Sequence, residues 1–249
     1  MILLKKLETA LGDDIVVEFG IPDTPKELAE MLGLRYQVYR DRKYIDPNEH
    51  PNEIEQDEYD REDKCVYFIA KCNGKMIATI RLIKDFKLPT EKCFSFEEPA
   101  KIRRIDRSLR AELGRFIILS TKDCDKKTFL PRGLVMLIMF NVLSEYGTKN
   151  KIHGGYCFIK RKLEEKLEKR KFPFHRIKDY TLTIDKDHVL YNYFTNLDDP
   201  IIPIFYITEE ALLATRKILE NRLMFSEKEN VFTLKNNLYT KALRHLGIL

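Results

Sequence analysis

Within the stretch Ala111 to Ser120, AELGRFIILS, a glutamate and an arginine stand three residues apart at the head of an apolar run. Glu112 and Arg115 flank Leu113 and Gly114, and Phe116, Ile117, Ile118 and Leu119 follow. The apolar half, rich in β-branched residues, reads as a central strand buried on both faces. Charged groups leading into such a strand are costly unless they are paired or used. A carboxylate there is desolvated, which raises its pKa toward the range of a general base at neutral pH, while Arg115 pulls it down. The plainer reading is a surface ion pair at the strand's entrance. Gly114 predicts a bulge or a close backbone approach.

A second group of charges lies upstream. Thr24-Pro25-Lys26-Glu27 predicts a helix start, with threonine as N-cap, proline at the first helical position and glutamate completing a capping box. Leu28, Met31, Leu32, Val38 and Tyr39 then share one face, and Arg35 falls in its middle. A guanidinium on a core stripe requires a carboxylate, because an unpaired buried charge is very costly. Glu55-Gln56-Asp57-Glu58-Tyr59-Asp60 supplies three at the spacing E-x-D-x-x-D, with Asp57 or Asp60 the expected partner. The alternative for this run alone is an acidic surface loop.

The elements that must position these groups follow from the pattern. Val16 to Phe19 reads as a first strand. Val66 to Ala70 and Met76 to Ile83 form a hairpin across Asn73-Gly74, with Arg81 near the end of its second strand. Residues 84 to 110 read as a long irregular connection that ends in a basic run, Lys101 to Arg110. Thr121 to Phe129 is polar. Pro131-Arg132-Gly133 opens a buried helix, Leu134 to Tyr146, with Gly147 as its C-cap. Ile152 to Ile159 is a strand in which Gly154-Gly155 admits a close neighbour, and Lys160 to Lys171 an amphipathic helix with Leu163 and Leu167 inward. Thr181 to Ile184 and Ile201 to Ile207 are further strands, Glu209 to Met224 a helix, and Phe232 to Leu249 a last helix. The sum is one mixed sheet with helices on its faces: residues 1–190 make the core, and residues 191–249 pack on it in the same domain.

Composition narrows the class. The chain has 249 residues, 44% hydrophobic and 33% charged, as expected of a globular protein. The opening MILLKK is too short for a signal peptide, and no stretch is long enough to span a membrane. Five scattered cysteines without C-x-x-C predict reduced thiols in a cytoplasmic protein and give no metal signature. Charge is polarised: nine acids against one base from Asp46 to Asp63, and ten bases against three acids from Lys151 to Lys178. Such fields act on partners and substrates. Thin aromatic interleaving in the basic stretch argues against nucleic acid.

Four segments in order, Leu34-Arg35-Tyr36-Gln37-Val38-Tyr39, Glu55-x-Asp57-x-Tyr59-Asp60, Arg81-Leu82 and Glu112-Leu113-Gly114-Arg115-Phe116, resemble the acyl-homoserine-lactone synthases. They resemble still more the related N-acyl amino acid synthases and exosortase-associated acyltransferases, all similar to the GNAT superfamily in fold. The resemblance implies an α+β (mixed α/β) fold whose central mixed, mostly antiparallel sheet carries helices on both faces. It implies an ion cluster of Arg35, Glu55, Asp57, Asp60 and Arg81 beside the substrate cleft, with Tyr39 at its edge. Glu112 and Arg115 would be the catalytic residues, with Glu112 taking a proton from the substrate amine, often through water. The acyl-phosphopantetheine donor would lie between Phe116, Ile117 and Ile118 on one strand and Tyr156 on the next, reaching Arg132 and Gly133. No cofactor is bound in such a scheme.

The chain departs from the homoserine-lactone pattern in having no tryptophan and in carrying Gly114 where those synthases have serine. Both departures favour the N-acyl amino acid synthase branch. The glycine-rich pyrophosphate loop of the GNAT enzymes is reduced to Pro131-Arg132-Gly133, leaving fewer amides for coenzyme A. The expected reaction moves a fatty acyl group from acyl carrier protein to the amine of an amino acid or similar small amine. Acyl carrier protein would dock on the basic stretch, at Lys160, Arg161, Lys162 and Lys169, with Lys101 to Arg110 the second choice. A lipid product allows transient membrane contact. The alternatives are an acyl-CoA-dependent acyltransferase, an autoinducer synthase, or a ligand-binding regulatory protein that retains the fold without turnover.

Overall fold

The computed structural model describes residues 1–9, 15–61, 63–119, 131–186, 191–237 and 240–241. The polar stretch Thr121 to Phe129, with Cys124, and residues 242–249 of the expected last helix lie outside these. In chain order the elements are β1 (Ile2–Thr9), β2 (Val16–Ile21), α1 (Pro25–Asp41), β3 (Cys65–Cys72), β4 (Lys75–Ile83), α2 (Pro89–Cys93), β5 (Phe94–Phe96), α3 (Ala100–Arg103) and β6 (Arg110–Ile118). There follow α4 (Arg132–Lys149), β7 (Gly154–Lys160), α5 (Arg161–Lys169), β8 (Phe174–Arg176), β9 (Tyr180–Leu182), α6 (Tyr191–Thr195), β10 (Ile201–Ile207), α7 (Thr208–Leu219), β11 (Phe225–Lys228) and β12 (Val231–Leu234).

Among the described residues ten strands form one sheet in the order β11-β12-β1-β2-β3-β4-β6-β7-β10-β8, and β5 and β9 pair separately. Only β1 with β12 and β6 with β7 run parallel. The apolar sides of α4, α5 and α7 cover one face of the sheet, while α1, α2 and α6 cover the other. Among the described residues no helix is long and apolar enough to cross a membrane.

Local chemistry explains the elements that were read correctly. Thr24 caps α1 by accepting the Glu27 amide at 3.2 Å. The expected capping box is only half made: the Glu27 carboxylate accepts from Asp23 N at 3.2 Å and from Lys71 Nζ at 2.6 Å, not from the cap residue's own amide. Asn73 and Gly74 turn the β3–β4 hairpin with φ of 47° and 82°, as a tight hairpin requires.

Several expectations are corrected. The start of the chain is strand β1, and Phe232 to Leu234, expected in a helix, belong to strand β12 (Val231–Leu234) beside it. Each strand pairs with the other across more than 200 residues of sequence, a pairing that no local spacing contains. Residues 84–110 are not irregular but hold α2, β5 and α3. Gly147 does not end α4, which runs to Lys149. Its missing side chain instead admits Thr208, whose Cγ2 would lie 3.0 Å from an added Cβ. The neighbour admitted at Gly155 is strand β6, since a Cβ there would sit 1.6 Å from Ala111 O.

Candidate active site

Arg35 is fully buried on α1, where the apolar stripe places it. Its Nε donates to Glu55 at 2.6 Å, and its two terminal nitrogens clamp Asp60 at 2.8 and 2.9 Å. Asp57, the other expected partner, is taken by Arg81 at 2.6 and 2.7 Å. Arg115 closes the cluster, donating to Glu55 at 2.8 Å and to Asp57 at 2.7 Å. Three guanidiniums thus meet three carboxylates, and Tyr67 adds a hydroxyl to Asp60 at 2.8 Å. Burial alone would raise all three acids, but the facing guanidiniums outweigh it and hold Glu55, Asp57 and Asp60 below the usual carboxylate range.

Arg115 reaches the cluster because β6 is bulged. Arg81 stands opposite Gly114 and Thr79 opposite Ile117, so three steps along β6 match two along β4. The alternation of side chains slips by one, and Glu112 and Arg115, three apart, come to the same face. The left-handed conformation falls on Arg115, with φ 56°, and not on Gly114. That conformation costs an arginine roughly 1 kcal/mol, and the bonds to Glu55 and Asp57 hold it. A Cβ on Gly114 would meet nothing closer than Ile83 Cδ1 at 3.9 Å, so packing does not demand glycine there.

Glu112 is not a surface group: it is 1% exposed, on the half of β6 that is buried more deeply than its apolar end. Among the described residues no arginine bonds to it. Its partners are both from Thr90 in the first turn of α2, the backbone amide at 2.7 Å and the hydroxyl at 2.9 Å. Burial pushes its pKa up to about 8 against the pull of those two bonds. Thr90 was not foreseen. Leu88-Pro89-Thr90-Glu91 carries the proline-first signature of a helix start, which was the available signal.

β6 and β7 pair only over Arg110 to Glu112 and then part. A cavity of about 1890 Å³ fills the gap and opens to both faces of the sheet. Glu112 stands at the last paired rung. On the α1 side the wall is polar, with Tyr39, Asp57, Arg81 and Arg115. On the α4 side it is apolar, with Leu113, Phe116, Met136, Phe140 and Leu167. Arg35, Glu55 and Asp60 stay behind the polar wall and do not reach the cavity. Phe116, Ile117, Ile118, Arg132 and Gly133 line it. Tyr156 does not: it pairs with Glu112 behind the point where the strands part, packs on Phe96 and donates to Glu98 at 3.2 Å.

Of the expected docking residues, Lys162 and Lys169 lie at the rim of the cavity and Arg161 is exposed beside them. Lys160 is buried instead, its ammonium 2.6 Å from Tyr193 O and 4.2 Å from the centre of that ring, because it is the last residue of β7 and points inward. Among the described residues no ion pair joins Arg161, Lys162, Lys166 or Lys169 to an acid. The other basic run is largely neutralised: Lys101 pairs with Glu210, Arg103 with Glu97, Arg107 with Glu91 and Arg110 with Glu98. At the α4 N-terminus an added Cβ on Gly133 would lie 3.1 Å from Arg170 Nη1, so a second guanidinium stands over the helix end beside Arg132.

A mostly antiparallel sheet split beside a buried glutamate, with a helix N-terminus at the mouth of the split, is the architecture of a GNAT-like acyltransferase. The model of the FeeM N-acyl amino acid synthase family matches residues 30–159, just over half of the chain. The chain belongs to that family and is an acyltransferase. Among solved structures it is similar to the acyl-homoserine-lactone synthase LasI, with 17% identity over 83% of this chain and 96% of that one and a TM-score of 0.54. The CoA-dependent acyl-homoserine-lactone synthase BjaI, solved with SAM and isopentyl-CoA, shares 15% identity over 89% and 92% with a TM-score of 0.55. FeeM itself, from uncultured soil microbes, shares 14% over 81% and 94% with a TM-score of 0.53. At these identities the three demonstrate a common fold. The comparison with curated protein sequences finds no match.

Proposed function

We propose that this acyltransferase moves a fatty acyl group from the phosphopantetheine thioester of acyl carrier protein to the amine of an amino acid or similar small amine, in the cytoplasm. The observation that carries the reading is Glu112, alone in an apolar setting at the point where the strands part and between the two walls of the cavity. The polar wall suits the acceptor and the apolar wall the acyl chain. The amine nitrogen attacks the thioester carbonyl, the C–N bond forms, the C–S bond breaks, and the sulfur leaves as a thiol. Glu112 takes the proton the amine must lose, directly or through water, and passes it to the departing sulfur. With burial raising it to about 8, the carboxylate is basic enough for that task. Main-chain N–H groups along the diverging edges of β6 and β7 lack ladder partners and can meet the developing oxyanion.

Arg115, tied to Glu55 and Asp57, is a positioning residue of the polar wall in this scheme. Arg132, Arg170 and the α4 N-terminus offer an anion site for the phosphate of the pantetheine arm. The unpaired cations Arg161, Lys162 and Lys169 suit an acidic carrier protein, and they favour it over coenzyme A, the second reading. Residues 1–190 supply the catalytic elements, and residues 191–249 complete the sheet through β10 and β12. The test is to incubate the protein with palmitoyl-acyl carrier protein or palmitoyl-CoA and the twenty amino acids, followed by mass spectrometry. Amide product with the carrier-protein donor is expected. Faster reaction with the CoA donor overturns the donor assignment, and absence of amide with either overturns the reading.

A further inference from the structure

The apolar wall of the cavity ends on an aromatic partition. Along α4, Gly133, Met136 and Phe140 line the main cavity at helical spacing. Beyond Phe140 the same helix lines a second, separate cavity of about 20 Å³ with Leu143, Ser144 and Gly147. Leu113, Phe140 and Phe174 belong to the walls of both. Phe140 is the hub of this partition. Its ring centre lies 5.1 Å from that of Phe116, 4.9 Å from Phe172 and 5.4 Å from Phe174. Leu113, the residue next to Glu112, is thus one wall of the reaction chamber and also a neighbour of the partition.

We infer that Phe140, braced by Phe172 and Phe174, is the stop that sets the longest acyl chain the enzyme accepts, and that the small cavity behind it is length the parent enzyme does not use. This rests on the acyl-donor reading above. A chain whose thioester lies beside Glu112 gains by running over Leu113, Phe116 and Met136, because each methylene removed from water is favourable. It stops where the phenylalanine rings interlock, since close-packed rings leave no path. The space behind holds about one water- or methyl-sized group. It is lined mainly by carbon, including Leu82, Leu143 and Ala211, so it is suited to extend an apolar channel. From Phe140 to Gly147 the helix advances about 10 Å at 1.5 Å per residue. Removing the ring of Phe140 therefore joins the two cavities and lengthens the channel.

The experiment uses S-alkyl-pantetheine thioethers with chains of about six to eighteen carbons, titrated calorimetrically against the intact protein, so that no acceptor is needed. For the parent, affinity should rise about fourfold per added methylene and then stop rising at one chain length. Phe140→Ala should move that break to chains longer by about two to four carbons, and Phe140→Leu, which keeps more of the packing, by less. Ala211→Leu should leave the parent's break where it is, yet move the break of Phe140→Ala back toward the parent's. A break unmoved in folded Phe140→Ala or Phe140→Leu protein, or not restored by Ala211→Leu, overturns the stop alone. A parent that binds no member of the series overturns the acyl-donor reading, and the stop with it.

Discussion

Glu55 and Glu112 are both almost wholly buried, at 2% and 1% exposure, and their pKa values move in opposite directions. The desolvation that raises each is the same in kind. Glu55 faces Arg35 and Arg115, whose charges more than offset it, and stays ionised. Among the described residues Glu112 is hydrogen-bonded by the amide and hydroxyl of Thr90, which are dipoles and not charges, and burial pushes its pKa up to about 8. Burial therefore does not decide what an acid can do in this molecule; its partner does. The cluster fixes the wall, while the isolated glutamate remains free to change its protonation within the working range.

The sharpest way to break the comparison is Glu112→Gln. If Glu112 is the base, turnover falls by on the order of 10²–10⁴, while the protein still folds and donor affinity remains near the parent's. Activity within a few-fold of the parent leaves Glu112 as a structural residue.

The opposite outcome is expected in the cluster. Arg35→Met leaves Glu55 and Asp60 facing an uncharged side chain and should cost about 3–5 kcal/mol of stability, read from chemical denaturation. Activity should be lost along with the fold. A variant as stable as the parent would show that the cluster's charges are not interdependent.

Titration sharpens the contrast. If Glu112 is the base it must be ionised to act, so kcat/KM should climb about tenfold per pH unit up to a midpoint near 8. Thr90→Val removes one bond that favours the charged form and should raise that midpoint by about half a unit to one unit. The same group acts on stability with a definite sign. Its folded pKa lies above its unfolded value, so its contribution is full below about pH 4 and is lost as pH rises through about 8. Glu112→Gln should thus gain on the parent in alkaline unfolding experiments. A flat difference between pH 5 and 9 would contradict the raised pKa.

The smallest effect is expected at the rim. Arg161→Glu, Lys162→Glu and Lys169→Glu together should raise the KM for acyl carrier protein about tenfold in low salt and weaken its salt dependence. Reaction with a small acyl-pantetheine should change little. Equal losses with both donors would place these residues in the donor channel and not on a docking face. Lys160 is left out of this set because it is buried against Tyr193.

Much of the machinery was legible along the chain because it rests on short-range rules. The Thr24 cap, the Asn73-Gly74 turn and the apolar stripe that carries Arg35 are each fixed by residues within a few positions of one another. The need for carboxylates opposite Arg35 also followed, since a buried guanidinium permits no other solution. Which carboxylate meets which arginine did not follow. Of the two candidates Asp57 and Asp60, Asp60 lies on Arg35 and Asp57 on Arg81, because the choice depends on where β4 brings Arg81 relative to the 55–60 turn. The bulge that turns Arg115 toward the cluster depends on the register of two strands, and the covering of Tyr156 depends on the rung at which β6 and β7 part. Thr90 meets Glu112 across 22 positions, and β12 meets β1 across the whole chain. The sequence by itself determined which residues must be buried and that the charged ones among them need partners. The partners, and with them which acid is held ionised and which is free to take a proton, come from the folded arrangement, because pairing is a matter of distance between segments that no local spacing contains.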